Sequence, residues 1–206
     1  MLHSLIVQDH YNALLFVTKH AKEKKSVTRE FIKPANAAVL KQTGSVYQTV
    51  FGELDAAKGV YRKANISAGN NYFAGYQKVK EMVNKLWECI GLNTAVANNV
   101  VKQLNICFNA HFNWVTIHPF YNSNGRTACL LMNYQQLYFK LPLNIVFKED
   151  KAAYFETLQL TRKEEDITLF RKFMLAQDAK YLQHEIAKFE QMDKDDSKGK
   201  AYSFVF

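Results

Sequence analysis

From Thr94 to Tyr138 apolar residues recur at helical spacing with a single polar interruption, HPFYNSNG at 118–125. Before the interruption, Ala97, Val100, Val101, Leu104, Cys107, Phe108, Phe112 and Val115 cover a wide face; after it come Leu130, Leu131, Tyr134, Leu137 and Tyr138. A helix apolar over so wide an arc must be enclosed by other elements. Two in succession, joined by one short loop, call for a helical bundle built around them. The rest of the chain can supply that bundle, because only three prolines and eight glycines interrupt 206 residues.

The spacing predicts further amphipathic helices over 8–23, from Phe31 to Leu40, over 76–91, 149–160 and 166–189. Ser26 or Thr28 can cap the second, with Pro34 near its start or at a kink. Gly91 is placed to stop the third, Asn93 or Thr94 to cap the next, and Pro142 to end the helix that Arg126 opens. Residues 59–76, rich in Gly, Asn and Ser between β-prone pieces, predict an extended hairpin turning at 68–71. Residues 42–58 read as a loop with short helical turns. The expected fold is therefore mainly α with one small β-hairpin, a single domain over 1–189. A charged tail follows over 190–206, its apolar end AYSFVF able to dock as a strand.

Hydrophobic residues make up 48% of the chain, enough for a substantial core. The net charge of +8 favours anionic partners. The lysines are dispersed, without a basic and aromatic strip, so nucleic acid is not the expected ligand. Cys89, Cys107 and Cys129 lie in apolar stretches with no C-x-x-C spacing and read as buried reduced thiols of an intracellular protein. With no run of membrane-spanning length and no basic leader, a cytoplasmic location is expected, with no membrane partner.

The loop carries the chemistry. The first N–H groups of a helix lack intrahelical partners and attract anions. Ser123-Asn124-Gly125 can fold as a nest of such groups, and Arg126 adds a guanidinium fork suited to phosphate oxygens. His118, at the other end, titrates near neutrality. A base beside a phosphate cradle suits phosphoryl or nucleotidyl transfer. Taken singly, His118 reads as a structural hydrogen-bonder, Arg126 as a surface residue and Phe120 as core; the combination points to a site.

His118-Pro119-Phe120-Tyr121-Asn122-Ser123-Asn124-Gly125-Arg126 resembles the Fic family signature H-P-F-x-[D/E]-G-N-G-R-x-x-R. His118, Pro119, Phe120, Asn124, Gly125 and Arg126 agree with it, and Tyr121 fills the free position. Gly59-Val-Tyr61-Arg62 and the hairpin from Asn65 resemble the family's target-docking flap, while Asn133 and Pro142 to Leu158, with Asp150 and Tyr154, resemble its later helices. The resemblance spans about residues 5–180. It implies a Fic-type helical bundle that moves AMP from ATP to a Ser, Thr or Tyr hydroxyl of a target protein. His118 would be the general base, Ser123, Asn124 and Gly125 the α-phosphate cradle, and Arg126 the holder of the outer phosphates. Pro119 and Phe120 would support the motif, and Arg62, Asn65, Ile66 and Ser67 of the flap would align the target by adding a strand.

Three departures stand out. Asn122 replaces the acidic residue that helps hold Mg²⁺, and a neutral amide is a weaker ligand for that ion. Ser123 replaces a glycine, at a cost of ~1 kcal/mol if φ there is positive. Cys129 replaces the second arginine and reads as a packing residue. Transfer should then be slow. The alternatives are a non-catalytic nucleotide- or protein-binding module, and phosphate transfer by the same fold. The family's restraining pattern, [S/T]-x-x-x-E-[G/N], has no full match: Glu53 is followed by Leu54 and Glu165 by Asp166.

Overall fold

The computed structural model describes residues 2–23, 29–68 and 71–196. Helices α1 (Leu2–Lys22), α2 (Arg29–Val39), α3 (Tyr76–Val96), α4 (Val100–Ile117), α5 (Asn124–Tyr138), α6 (Lys151–Lys163) and α7 (Ile167–Asp196) make it mainly α. Two small antiparallel hairpins precede α3: β1 (Val46–Thr49) with β2 (Gly52–Asp55), and β3 (Ser67–Ala68) with β4 (Asn71–Tyr72). The chain forms two compact units, Met1–Leu143 and Asn144–Phe206. No helix among the described residues is long and apolar enough to cross a membrane.

In the first unit, α4 and α5 lie against each other, with α1 and α2 against α5 and α3 against α4. Their shared core contains the fully buried Phe108, Trp114, Phe120, Leu130, Leu131 and Tyr134. The Phe120 ring lies 5.7 Å from Trp114 and 5.2 Å from Tyr61, so the loop between α4 and α5 is anchored in this core. Buried Asp9 of α1 holds the corner after α2: its carboxylate accepts from the Gln42 and Thr43 amides at 2.9 and 3.1 Å and from both side chains.

Several boundaries differ from expectation. The first helix begins at Leu2, and the proposed caps Ser26 and Thr28 lie outside the described residues. Pro34 sits inside α2, its ring exposed. Gly91 does not stop α3, which continues to Val96; it is exposed, and a glycine there costs only about 1 kcal/mol of helix propensity. The cap of α4 is Asn99, whose side chain accepts from the Lys102 amide at 2.9 Å. Helix α5 ends before Pro142 is reached. Lys140 adopts φ +60°, and the Leu141 amide bonds back to the Gln136 carbonyl at 2.8 Å, a Schellman-type stop.

Residues 42–58 contain one short helical turn, a 3₁₀ turn at Ala56–Lys58, but the rest is not a loop. They hold the longer hairpin, with Val46 opposite Asp55 and Thr49 opposite Gly52. Thr49 Oγ1 closes its turn by donating to the Gly52 carbonyl at 2.7 Å and accepting from the Phe51 amide at 3.1 Å. The expected hairpin at 59–76 shrinks to two paired residues on each side. Between the hairpins, Gly59 adopts φ +60°, and a Cβ there would stand 2.1 Å from the Lys33 carbonyl oxygen, so only glycine lets the chain pass α2.

In the second unit, α6 and α7 pack together, with Leu158, Phe170 and Met174 buried. Lys180 pairs with Asp150 at 2.7 Å, and Gln177 donates to the same carboxylate at 2.9 Å. Residues 190–196, expected in the charged tail, continue α7; AYSFVF lies outside the described residues. Of the cysteines, Cys107 is buried and Cys129 partly so, but Cys89 is exposed, contrary to expectation, because it falls on the outer side of α3.

Candidate active site

The loop between α4 and α5 begins and ends in the left-handed region. His118 caps α4 at φ 53°, its amide bonded to the Trp114 carbonyl, and Ser123 caps α5 at φ 62°. Both are non-glycine residues in a conformation that costs on the order of 1 kcal/mol each and recurs at functional sites. The Ser123 side chain makes no capping bond to α5. The first N–H groups of the helix therefore point out of its end without intrahelical partners. Gly125 is exposed at that end, and a Cβ there would meet nothing within 4 Å.

Asn124 is buried and turned inward. Its Oδ1 accepts from the Phe120 amide at 2.9 Å and its Nδ2 donates to the Phe120 carbonyl at 2.8 Å. Its side chain thus closes the loop, and what it can offer an anion is its backbone N–H. Arg126 donates to the Val39 carbonyl at 3.3 Å and to Ser123 Oγ. Partial burial lowers its pKa from the ordinary arginine value, opposed by the Asp9 carboxylate. Neighbouring His10 is lowered by burial and then by Arg126.

The Asn122 side chain is engaged at both ends: its amide oxygen accepts from the Ser123 N–H at 2.7 Å, and its Nδ2 donates to the Tyr47 hydroxyl at 3.2 Å. No group of three or more His, Cys, Asp or Glu side chains suited to a metal ion occurs among the described residues. A neutral amide oxygen that already accepts one hydrogen bond brings no negative charge to Mg²⁺, so the residues present fit a resident ion poorly. Burial pushes the Cys129 thiol up to about 11, which keeps it protonated and unreactive.

The His118 ring is half-buried and stacks on Phe73, with centroids 3.9 Å apart. Its Nδ1 lies 3.3 Å from the Val115 carbonyl oxygen. A proton held there leaves the lone pair on Nε2, the tautomer of a base. The ring lines a cavity of about 550 Å³ together with Tyr121, residues 47–50, Ala64 and residues 66–68. Ile66 and Ser67 of the expected flap thus reach the same space as His118. Arg62 does not, since it is buried and serves as a staple: its side chain donates to the carbonyls of His118 at 2.9 Å, Ala64 at 3.0 Å and Ala74 at 2.5 Å, and its amide donates to Pro119. Buried Pro119 meets Arg62 through that carbonyl. Asn65 accepts from the Tyr76 amide at 3.1 Å and so caps α3, where Gly75 has no side chain to do so.

Sequence reasoning missed three residues that shape this region, Asn36, Tyr47 and Phe73, and gave Tyr121 no role beyond filling the motif. Asn36 donates to the Asn122 carbonyl and to Thr127 Oγ1, Tyr47 stacks on Tyr121 at 5.3 Å, Tyr121 accepts from the Lys63 amide, and Phe73 covers His118. Only Asn36 left a signal, as a polar residue among the apolar positions of α2.

A model of the Fic/DOC family matches residues 26–136. The chain is 26% identical over 151 residues to the protein adenylyltransferase Fic of Aedes aegypti, covering 73% of this chain and 30% of that protein. It is 29% identical over 138 residues to the protein of the same name in Drosophila grimshawi, covering 66% of this chain and 27% of that one. It thus spans less than a third of the length of these relatives. Among solved structures, a Fic domain containing signaling protein from Bacteroides thetaiotaomicron superimposes with a TM-score of 0.71 at 20% identity, covering 84% of this chain and 67% of that one. Fic-1 (aa134–508) from C. elegans does so with a TM-score of 0.72 at 19% identity, covering 89% and 51%. The family model accounts for more than half of the chain and includes the loop just described, and the chain belongs to the Fic/DOC family.

Proposed function

We propose that this protein is an adenylyltransferase that moves AMP from ATP to a Ser, Thr or Tyr hydroxyl of a target protein. The observation that carries the reading is the pairing, within one loop, of an imidazole lining an open cavity with a helix N-terminus bearing Arg126 and exposed Gly125. The target oxygen attacks the α-phosphorus while its proton passes to His118 Nε2. The bond from α-phosphorus to the bridging oxygen breaks, and pyrophosphate leaves with the electron pair. The N–H groups at the start of α5 face the charge that develops on the α-phosphate oxygens, and Arg126 holds the outer phosphates. The similarity to the adenylyltransferases of Aedes aegypti and Drosophila grimshawi supports the choice of donor.

The test is incubation with ATP labelled at the α-phosphate and a lysate as target source. Label should enter protein with the native chain and fall by at least about a hundredfold in His118→Ala, the lower range for loss of a general base. Unchanged labelling in that variant refutes the assignment of His118. The engagement of Asn122 favours a second reading, a nucleotide-binding module without turnover. Calorimetric binding of ATP with no labelling under any divalent ion would select it.

A further inference from the structure

Tyr47, Gln48, Thr49 and Val50 are consecutive, and so are Ile66, Ser67 and Ala68; both runs line the cavity that holds His118. Side chains of a strand alternate between its faces. A cavity met by successive strand residues, as at 47–49 of β1 and 67–68 of β3, therefore faces the strand's edge, where the backbone N–H and C=O groups lie. Each hairpin has only two strands, so β1, paired to β2, and β3, paired to β4, each keep one edge without a strand partner among the described residues. Both hairpins are tied to one loop, β1 through Tyr47 and β3 through the residues that lead into it. The Tyr47 hydroxyl accepts from Asn122 and its ring stacks on Tyr121, while the Tyr121 hydroxyl accepts from the Lys63 amide and Arg62 donates to the His118 carbonyl. The cleft that both runs line is thus preorganised.

We infer that a target enters this cleft as an extended segment paired on both sides, to β1 as well as to β3, with the residue bearing the acceptor hydroxyl directed at His118. Two rows of backbone donors and acceptors are complementary to a strand. A partner helix, its backbone groups already bonded internally, would satisfy neither row. The flap alone gives one row and a weak register; the longer hairpin supplies a second row and the aromatic wall of Tyr47 and Tyr121. This rests on the adenylyltransferase reading for the role of the bound segment, though not for the pairing itself.

The probe is a blocked heptapeptide, acetyl-Thr-Val-Thr-Tyr-Thr-Val-Thr-amide, with its N-methylated counterpart, which cannot donate along its edge. Amide hydrogen exchange is followed in the full chain, and transfer of label from α-labelled ATP to the peptide is read in the same samples. Exchange should slow by about tenfold at residues 47–49 and at 66–68 with the first peptide and at neither with the second. Slowing confined to 66–68, slowing at neither run, or equal slowing by both peptides overturns the inference. Label transfer with protection of the flap alone leaves the enzymatic reading standing and removes this one. Protection of both edges without any label does the reverse.

Discussion

Ser123 and His118 hold the ends of the signature loop at positive φ, and each does so without being glycine. At Ser123 the strain can be separated from the hydroxyl's bond to Arg126, because alanine and glycine both remove the hydroxyl but only glycine relieves the backbone. Ser123→Gly should be more stable than Ser123→Ala by about 1 kcal/mol in denaturant unfolding; equal stabilities would show that the strain is not stored there. Asn124 is the opposite case, a motif residue whose side chain is wholly structural in its bonds. Asn124→Ala leaves the buried Phe120 amide and carbonyl without their partners. It should cost about 2–6 kcal/mol, at roughly 1–3 for each of the two orphaned groups, visible as a lower midpoint with an unchanged slope. The nine-residue string announced the site in sequence, but not that its asparagine faces inward or that Asn122 is engaged by Tyr47. Those depend on rotamers that packing selects.

At the scale of elements, the helices were legible wherever their apolar period was long and the hairpins were not. β1 and β2 have four residues each, and only Leu54 among them is buried, so hydrophobic alternation had almost nothing to record. The pairing depends instead on the turn closed by Thr49 and on Tyr47 meeting the signature loop. The corner that launches β1 is secured from α1. Asp9 accepts four hydrogen bonds there, two of them from backbone amides. Asp9→Ala should destabilise by about 2–4 kcal/mol. Because the corner feeds Tyr47 to Asn122, it should also loosen the β1–β2 hairpin, checked by faster amide exchange at 46–49. An unchanged hairpin would mean that its position is set from the loop side alone.

For the molecule as a whole, a loss of stability in acid is expected from histidines that burial holds neutral. His111, fully enclosed in the α4–α5 core, is pushed down to about 4 from 6.5 by burial, against a backbone hydrogen bond with Ala128. Above the unfolded value both states are neutral and the group is silent. As pH falls below it, the unfolded chain takes up the proton first, so stability declines through the window down to about 4, by at most ~3 kcal/mol. His10 is shifted in the same direction and adds to the slope. The melting temperature should drop steadily between about pH 6.5 and 4, and His111→Gln should flatten part of that decline. A slope unchanged in the variant would assign the acid sensitivity to other groups.

Periodicity and composition alone were enough to determine a mainly helical chain with its most enclosed helices flanking one polar loop, because apolar period and breaker content are local properties of the sequence. The phosphate-binding role proposed for that loop likewise came from residue types at fixed spacing. Only the tertiary structure decided which side chains of the motif turn inward, that Arg62 staples the flap to the loop, and that a second hairpin shares the cavity of His118. Each is a contact between residues far apart in sequence, formed when burial closes the chain on itself, and no local pattern encodes it.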